Sequence, residues 1–534
     1  MGTRDQAQSA TLTNPIAGVA LGEPFVLRHR GRFYLYGTND GPPLADGRMI
    51  PVFRSDNLLD WEPLGGALEP IEPEAEHRAP DVLAWNGRFY MVVSFGDMDR
   101  RGHALWVAVA DQPEGPFRLA NRVSDPSEKF STDGSWLLDE EGRLYLFRCL
   151  DFVDEADPPH GTGIVAQEMS DPLTPIDRPV TVVRAHAHWH LSQADRTMPL
   201  HDGRTFAAWT TLEGPVPVRR AGRYFCVYSG GNSAGAYGTG TVVADTPLGP
   251  YQRPRGAFGP IFGTVPGLVE GPGHVSVVQP DLVHDRVVLH GRRPGESVRR
   301  VWLCPASWRD DGMALGSLTD EPQPAPPLPT ELTRFSDVKG PIPDGWELEV
   351  LGQPQPGWSL KPGDGLVLQG PPPEFKLPHW RSHQELLWQF DLAHSGSRVS
   401  RSARGLKRNW VAEAYLRFLE ETPQGAAGLR IRSAIHSHSI SILLKVADGR
   451  CRVFICRFGQ ERSEFPVRAT EPFRATAFHR LELRFGSNTG AAFLDGVRIC
   501  DGLTQPNAPA QLQLYAGCPA VFDAVSITRM GRTT

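Results

Sequence analysis

A short pattern that occurs five times is the feature that most restricts the fold of this 534-residue chain. Each copy is a turn followed by β-branched and aromatic residues, and another short apolar run precedes it. Each copy is therefore predicted to be the second strand of a β-hairpin. The copies are GRFYLYGT (31–38), GRFYMVVS (87–94), GRLYLFRC (142–149), GRYFCVYS (222–229) and DRVVLHGR (285–292).

The spacing of the five copies predicts a propeller. Their first residues are 56, 55, 80 and 63 positions apart, and a blade of four antiparallel strands takes about 40 to 50 residues, so each interval holds one blade with an insertion. Helical periodicity is weak here, which indicates an all-β region. A pair of ordinary sandwiches is the competing interpretation, but sandwiches do not produce five equivalent hairpins. We therefore expect a five-bladed β-propeller.

A proline-rich segment, TDEPQPAPPLPTELTRF from Thr319, predicts a semi-rigid connector after the fifth copy. Many of the apolar runs beyond it alternate with polar residues, as strands with one wet face do. The predicted division is a propeller catalytic domain over 1–320, a linker over 321–335 and a β-sandwich of the jelly-roll type over 336–534.

Charge and composition exclude several kinds of partner. The chain carries 55 Lys and Arg against 61 Asp and Glu, so its formal net charge is −6. A negative net charge does not favour electrostatic binding to nucleic acid or anionic lipid. No run of about 18 apolar residues occurs, so no membrane-spanning segment is predicted. The seven cysteines are scattered without a CxxC pair, so reduced thiols are expected. No export signal is visible, which predicts a cytoplasmic protein if the N-terminus is native and leaves secretion open if it was trimmed.

Ionisable residues lie upstream of each repeated turn, where the first strand of each hairpin begins. They precede the turn residue by eight, six, nine, nine and eleven positions and are Glu23, Asp81, Asp133, Glu213 and His274. If this strand is the innermost of each blade, all five side chains reach one mouth of the central channel. Carboxylates that meet in a concave, partly desolvated site have their pKa values pushed apart, as acid–base chemistry requires.

Two carboxyl groups facing each other across a sugar ring can hydrolyse a glycosidic bond. One protonates the leaving oxygen, and the other activates water or attacks the anomeric carbon. A third carboxylate beside the acid holds the acid's pKa high through charge repulsion. Any single strand-end carboxylate can equally cap a turn or sit in water, so the hypothesis depends on their joint recurrence.

Five segments carry a family resemblance that spans about residues 14–310. LGEPFVLRHRGRFYLYGTND, STDGSWLLDEEGRLYLFRC, LEGPVPVRRAGRYFCVYSGGN, TPLGPYQ and GPGHVSVVQPD resemble family 43 of the glycoside hydrolases, which includes β-xylosidases, α-L-arabinofuranosidases and arabinanases. The resemblance implies an inverting mechanism with Glu213 as general acid, Asp133 as modulator of its pKa and Glu23 as general base. The family pattern has Asp-Pro where this chain has Glu23-Pro24, which leaves retention as an alternative outcome.

Three further residues are predicted to bind substrate, each with a structural alternative. Asp81 lies in RAPDV, which resembles a blade-two segment of the family; substrate contact and a purely structural role are both open. Trp136 could stack on a sugar ring or fill the core. Arg292 resembles a basic residue that contacts substrate hydroxyls in some relatives, although the adjacent Arg293 leaves the register open.

The histidines have more than one interpretation. His274 resembles a channel histidine that faces substrate and a central cation, often calcium, largely through water; the alternative is a histidine hydrogen-bonded in the channel. Calcium prefers oxygen ligands, so one histidine predicts at most a weak, water-rich site. His186, His188 and His190 could converge on zinc, but a polar insertion between blades three and four is favoured. Asp40 is expected to be a turn residue.

The C-terminal half also carries a resemblance. QPQPGWSLKPGDGLVLQG, RNWVAEAYLRFL and GAAGLRI resemble the concanavalin-like sandwich appended to family 43 β-xylosidases. That resemblance implies a domain that supports the propeller and can lend a loop to close the site, which favours exo action. The predicted function is removal of a terminal pentosyl or furanosyl unit from an oligo- or polysaccharide, without an organic cofactor. The alternatives are a retaining or glycosyl-transferring relative and a non-catalytic glycan-binding propeller; a homo-oligomer stays open.

Overall fold

The computed structural model is built almost entirely of β-strands. No helix in the described part of the chain is long and apolar enough to span a membrane. The model describes residues 11–16, 18–71, 75–97, 102–154, 159–233, 235–254, 259–344, 346–351, 358–369, 396–401, 409–433, 440–457, 463–466, 472–486, 489–504 and 510–529.

Strand β1 (Thr11–Leu12) comes first, and five sheets of mainly antiparallel strands follow it along the chain. We call these sheets blades. Blade one contains β2 (Leu21–His29), β3 (Arg32–Asn39), β4 (Met49–Ser55) and β5 (Glu62–Leu68). Blade two contains β6 (Glu76–Trp85), β7 (Arg88–Asp97), β8 (Gly102–Ala110) and β9 (Arg118–Arg122).

Blade three is the largest because an inserted hairpin extends it. It contains β10 (Ser131–Leu138), β11 (Leu144–Phe152), β12 (His160–Asp171), β13 (Thr174–Pro175), β14 (Val180–Val183), β15 (Leu191–Met198) and β16 (Arg204–Thr210). Short 3₁₀ helices at His188–His190 and Pro199–His201 flank β15. Strand β16 pairs in parallel with the start of β12, and β15 pairs with β16.

Blades four and five complete the ring. Blade four contains β17 (Leu212–Arg220), β18 (Arg223–Gly231), β19 (Tyr237–Ala244) and β20 (Phe262–Gly263). Blade five contains β21 (Glu270–Val278), β22 (Arg286–Arg292), β23 (Arg300–Arg309) and β24 (Gly312–Leu315).

The first strands of neighbouring blades pack against one another around a closed ring. The contacts run from β2 to β6, β10, β17, β21 and back to β2. The residues before β2 close the ring, because the Asn14 side chain both donates to the Leu303 carbonyl (2.9 Å) and accepts from the Leu303 N–H (2.8 Å). The predicted five-bladed propeller, with the repeated pattern in the second strand of each blade, is confirmed.

The repeated glycine has a conformational reason. In the turns Arg30–Gly31, Asn86–Gly87 and Ala221–Gly222, both residues have positive φ, between 44° and 78°. That is the backbone of a type I′ turn, whose twist matches that of a two-residue hairpin, and glycine adopts it without steric cost. The pattern therefore marks the hairpin turn between the first and second strands.

The strands that follow, except β25, form a β-sandwich of two sheets, as predicted. The strands that follow are β25 (Gln323–Pro324), β26 (Glu331–Thr333), β27 (Trp346–Leu351), β28 (Trp358–Lys361), β29 (Gly365–Leu368), β30 (Gly396–Arg401), β31 (Trp410–Phe418), β32 (Ala426–Ser433), β33 (Ile440–Ala447), β34 (Arg450–Arg457), β35 (Ser463–Pro466), β36 (His479–Phe485), β37 (Thr489–Leu494), β38 (Val497–Thr504), β39 (Ala510–Ala516) and β40 (Ala520–Arg529). A third 3₁₀ helix, Phe335–Asp337, follows β26. One sheet contains β26, β28, β29, β31, β36–β38 and β40, and the other contains β27, β30, β32–β35 and β39.

The predicted linker, residues 321–335, contains strands that tie both ends of the chain together. Strand β25 pairs with β1, and β26 pairs with the sandwich strand β40. Apolar side chains between the two sheets form one continuous core, which includes Phe335 and Trp410. Both are almost completely buried.

The sandwich packs against the propeller face that carries the hairpin turns. The Asn86 side chain donates to the Pro472 carbonyl (2.9 Å), and the Arg498 N–H donates to the Glu140 carbonyl (2.7 Å). Arg28 of β2 forms an ion pair with Glu413 of β31 (2.6 Å), and both side chains are buried. The described sandwich therefore covers the face opposite the beginnings of the first strands.

Removing one partner of the buried Arg28–Glu413 pair should lower stability strongly. We expect Glu413→Gln to lower the free energy of unfolding by about 3–5 kcal/mol, because Arg28 would keep a buried charge without its counter-ion. Glu62→Gln is the matched control: its pair with Arg54 is exposed (36% and 59%), and such pairs are worth about 0–1 kcal/mol. Urea unfolding followed by fluorescence measures both. Equal shifts in the two variants would contradict the prediction.

Candidate active site

A β-bulge interrupts the first strand of every blade at the same place. The pairing register shifts there, and one residue has a left-handed backbone with φ between 42° and 57°. A bulge turns a side chain away from its regular direction in the sheet. The left-handed residues are Glu23, Ala79, Asp133, Gly214 and His274.

These bulges place three of the predicted residues at equivalent positions. Glu23, Asp133 and His274 occupy the left-handed position itself, whereas Glu213 lies one residue before it. The equivalent residue in blade two is Ala79, and Asp81 lies two residues further along the strand. The bulge therefore recurs in all five blades. In blades two and four, however, the predicted residue does not occupy the left-handed position itself.

Five of the predicted site residues line one cavity of about 660 Å³ at the mouth of the ring. They are Glu23, Asp133, Glu213, His274 and Arg292. The inserted hairpin of blade three forms part of the wall through Ser192, Gln193, Arg196, Met198 and Trp209. No described residue of the sandwich lines this cavity.

Glu213 is half-buried in the cavity wall and has the properties of an acid. Burial raises the pKa of Glu213 to about 7, and repulsion from Asp133 and Glu23 acts in the same direction. The Tyr237 hydroxyl donates a hydrogen bond to Glu213 Oε1 (2.6 Å) and opposes part of this rise. Glu213 can thus hold a proton near neutral pH and release it to a substrate.

Glu23 has the opposite character. Burial by itself would raise the pKa of Glu23, but the Arg299 guanidinium outweighs it and holds the pKa well below its ordinary value. Arg299 contacts Glu23 Oε1 and also donates to both carboxylate oxygens of Asp40 (2.6 and 2.8 Å). Glu23 therefore remains ionised, and Asp40, predicted as a turn residue, shares its arginine.

Asp133 is held beside the acid by the backbone of the next blade. The Gly214 N–H donates to Asp133 Oδ2 (3.0 Å), and His274 Nδ1 lies 3.9 Å from the same oxygen. Gly214 is required here, since its φ is +57° and a Cβ would lie 2.8 Å from the His274 ring. The Gly of the EGP segment thus brings blades three, four and five together.

Asp81 and Trp136 lie elsewhere. They line a second cavity of about 180 Å³ in the central channel, formed by the first strands of all five blades. Ser135 donates to Asp81 Oδ2 (2.6 Å), and burial raises the pKa of Asp81 to about 7. Trp136 is 8% exposed and packs in an apolar cluster with Leu105. Their predicted contact with substrate stays a prediction.

The weak, water-rich calcium site that His274 suggested stays a prediction. Among the described residues, no group of three or more His, Cys, Asp or Glu side chains converges in a way that could hold a metal. His274 offers one ring, and the nearby Asp133 oxygen already accepts a backbone hydrogen bond. Of the histidine cluster, His190 is fully buried against Trp189 and His186. The mechanism below uses no metal.

The sequence reasoning missed several residues that line the cavity. The Glu23 N–H donates to His290 Nδ1 (3.0 Å), so the other nitrogen, Nε2, carries the hydrogen. Burial, assisted by the Arg299 charge, holds the pKa of His290 well below its ordinary value. His290 Nε2 is buried and has no hydrogen-bond partner in the described structure. It is therefore a donor available to a ligand.

A topological signal could have found these residues. First and third strands of a blade run in the same direction, so the start of the third strand reaches the same face as the bulge. Three cavity residues lie at the starts of third strands in this way. Tyr237 begins β19, Arg299 directly precedes β23, and His103 is the second residue of β8. The ends of second strands also reach this face, which accounts for Asp40, His290 and Arg292.

Other proteins resemble this chain in sequence and in structure. The model of the family "Glycosyl hydrolases family 43" matches residues 12–314. A solved thermostable family 43 glycoside hydrolase is 30% identical, with a TM-score of 0.50, and the match covers 59% of this chain and 99% of that one.

Two further relatives are more distant. The xylan β-1,4-xylosidase from Bacillus halodurans C-125 is 16% identical with a TM-score of 0.47, and the match covers 97% of this chain and 100% of that one. An extracellular endo-α-(1→5)-L-arabinanase of Thermotoga petrophila is 22% identical over 142 residues, which are 23% of this chain. The chain matches only 27% of the length of that curated relative.

The family model covers more than half of the chain, and it coincides with the five blades that bring the acidic residues together. The chain therefore belongs to glycosyl hydrolase family 43 and is a glycosidase.

Proposed function

We propose that this glycosidase removes a terminal pentosyl or furanosyl unit, of the arabinofuranosyl or xylosyl type, from an oligo- or polysaccharide. The observation that carries the proposal is the pair of carboxyl groups with opposite pKa shifts in one cavity, a protonated Glu213 and an ionised Glu23. Groups whose environments push their pKa values apart are suited to acid and base roles.

In the proposed mechanism, Glu213 gives its proton to the glycosidic oxygen as the bond to the anomeric carbon breaks. Glu23 takes a proton from the attacking water, and Asp133 keeps the pKa of Glu213 high. The transition state resembles an oxocarbenium ion, and the sugar inverts its configuration. Water is the only other reactant.

The shape of the cavity supports exo action. The inserted hairpin, β15 to β16, forms a wall on one side. On the rim of blade five, Arg292 donates to the Ser233 carbonyl (2.7 Å), which links two loops of neighbouring blades. A site walled in this way fits a chain end. His290 Nε2, as a buried neutral donor, is positioned to bind a sugar hydroxyl.

A substrate panel tests the proposal directly. Nitrophenyl α-L-arabinofuranoside, β-D-xyloside and hexofuranosides are incubated with the enzyme, beside linear arabino- and xylo-oligosaccharides. We expect release of one monosaccharide at a time from a pentosyl substrate. Release of internal oligosaccharides would contradict exo action, and turnover of none of these pentosides and furanosides would contradict the substrate class.

The Arg299–Glu23 contact makes a prediction for the pH profile. A base must be ionised, so activity is lost as the pH falls through its pKa. We expect Arg299→Met to move this acidic limb of kcat/KM upward, to a pH above about 4, because burial then acts on Glu23 without the opposing charge.

The neighbouring Arg300 is the matched control for this experiment. Its guanidinium pairs with Glu296 (2.7 Å) and lies outside the cavity lining. Arg300→Met should leave the acidic limb in place. An unchanged limb in Arg299→Met would show that Glu23 is not the base.

A further inference from the structure

Tyr237 is held rigidly between two blades. Its side chain is 2% exposed, and its ring stacks on His290 with centroids 6.0 Å apart and an interplanar angle of 6°. A Cβ at Gly273 would lie only 2.3 Å from the Tyr237 ring, so glycine makes room for it. The phenol oxygen therefore has a fixed position relative to Glu213.

A chain of hydrogen bonds gives the phenol hydroxyl a direction. The His274 N–H donates to Ser229 Oγ (2.8 Å), and the Ser229 hydroxyl bonds the Tyr237 oxygen. A backbone N–H can only donate, so Ser229 accepts there and its own hydrogen is left for Tyr237 or for Thr239 Oγ1, which lies 3.5 Å away. Tyr237 in turn donates to Glu213 Oε1 (2.6 Å).

We propose that Tyr237 is a positioning residue that keeps the transferable proton of Glu213 on Oε2. If the proton of Glu213 were on Oε1, two hydrogens would lie between Oε1 and the Tyr237 oxygen. The chain of hydrogen bonds that starts at the His274 amide disfavours this arrangement. The proposal rests on the proposed role of Glu213 as general acid.

The proton on Oε2 passes to the glycosidic oxygen, the bond from that oxygen to the anomeric carbon breaks, and its electron pair stays on the oxygen. Water adds to the anomeric carbon and gives a proton to Glu23. Glu213 becomes a carboxylate whose Oε1 still accepts from Tyr237, so the hydrogen bond strengthens as charge develops.

Tyr237→Phe tests the proposal because it removes one hydroxyl and keeps the ring. The variant is assayed against glycosides with good (dinitrophenyl) and poor (sugar) leaving groups, with kcat/KM measured across pH. We expect a loss of about 10- to 100-fold on the sugar leaving group and less than about threefold on the dinitrophenyl group, since only the former needs the proton.

The alkaline limb should also move. A general acid must be protonated, so activity falls as the pH rises through its pKa. Loss of a hydrogen bond to the carboxylate raises that pKa, and the limb of Tyr237→Phe should shift upward by about one pH unit. Tyr228→Phe is the matched control: Tyr228 is an equally buried tyrosine of blade four (2% exposed) that does not line the cavity. Tyr228→Phe should leave both the alkaline limb of the pH profile and the dependence on the leaving group unchanged.

The outcomes separate clearly. Equal losses on both leaving groups with an unmoved limb would overturn the proposal and indicate a merely structural tyrosine. Ser229→Ala provides a second test if Tyr237→Phe does not fold, with a smaller shift in the same direction expected and an unmoved limb counting against the proposal. Failure of the proposed function itself would appear separately, as a Glu213→Gln enzyme with full turnover on sugar leaving groups.

Discussion

Glu213→Gln is expected to lower kcat/KM on substrates with sugar leaving groups by about 10²- to 10⁴-fold, the contribution of a general acid. The amide cannot supply a proton, whereas its size and its hydrogen bond with Tyr237 are largely kept. On dinitrophenyl glycosides, whose leaving group departs as a stable anion, the loss should be much smaller. The alkaline limb, set by an acid with a pKa of about 7, should disappear.

Leaving-group kinetics and pH profiles of the purified variant measure this directly. Glu168→Gln is the matched control, since Glu168 lies on β12 of the propeller but does not line the cavity. It should behave as the unchanged enzyme. If Glu213→Gln lost the same factor on both classes of leaving group, Glu213 would not be the acid.

Glu23→Ala is expected to have the second largest effect, a loss of about 10²- to 10⁴-fold on all substrates regardless of leaving group. The reason is that water would no longer give its proton to a carboxylate. Azide needs no deprotonation, and the shorter side chain leaves space for it, so azide should restore turnover of activated glycosides. The product should be a glycosyl azide of inverted configuration.

Proton NMR of the first-formed sugar completes this test in the unchanged enzyme. Inversion would assign Glu23 as base, and Glu23→Asp should then keep part of the activity. Retention in the unchanged enzyme would show instead that Glu23 attacks the anomeric carbon. The glycosyl azide from Glu23→Ala would be inverted in that case too, because azide enters from the face that the carboxylate occupied. The longer side chain at this position makes the measurement informative.

Much of the fold could be predicted from the sequence because its signals are local. A two-residue turn with glycine, such as Arg30–Gly31 or Asn86–Gly87, needs only the conformational freedom of the residues that form it. Three such turns, within five copies of the pattern at blade-length intervals, restricted the topology to a ring. Among the acidic residues, Glu23, Asp133 and Glu213 were predicted together and line one cavity.

The residues that the sequence did not place depend on the register at the bulge or on contacts between distant parts of the chain. Asp81 lies two positions beyond the bulge, which directs it into the central channel with Ser135. The sequence shows that Glu23 stands in the first blade where the family pattern has aspartate. It does not show the ion-pair partner of Glu23, since Arg299 lies 276 residues away. Tyr237 and His290 belong to strands that carry no catalytic motif of their own.

The sequence by itself determined the hairpins, their number, the ring that they must form and the presence of three carboxyl groups at one end of it. A resemblance implied that Glu213 is the acid, but only the tertiary structure gave a physical reason to decide which of these groups holds a proton. That decision depends on burial and on charges and hydrogen bonds between blades, here Arg299 on Glu23 and Tyr237 on Glu213. Strand and turn preferences act between neighbours in the chain, whereas electrostatic interactions act through space.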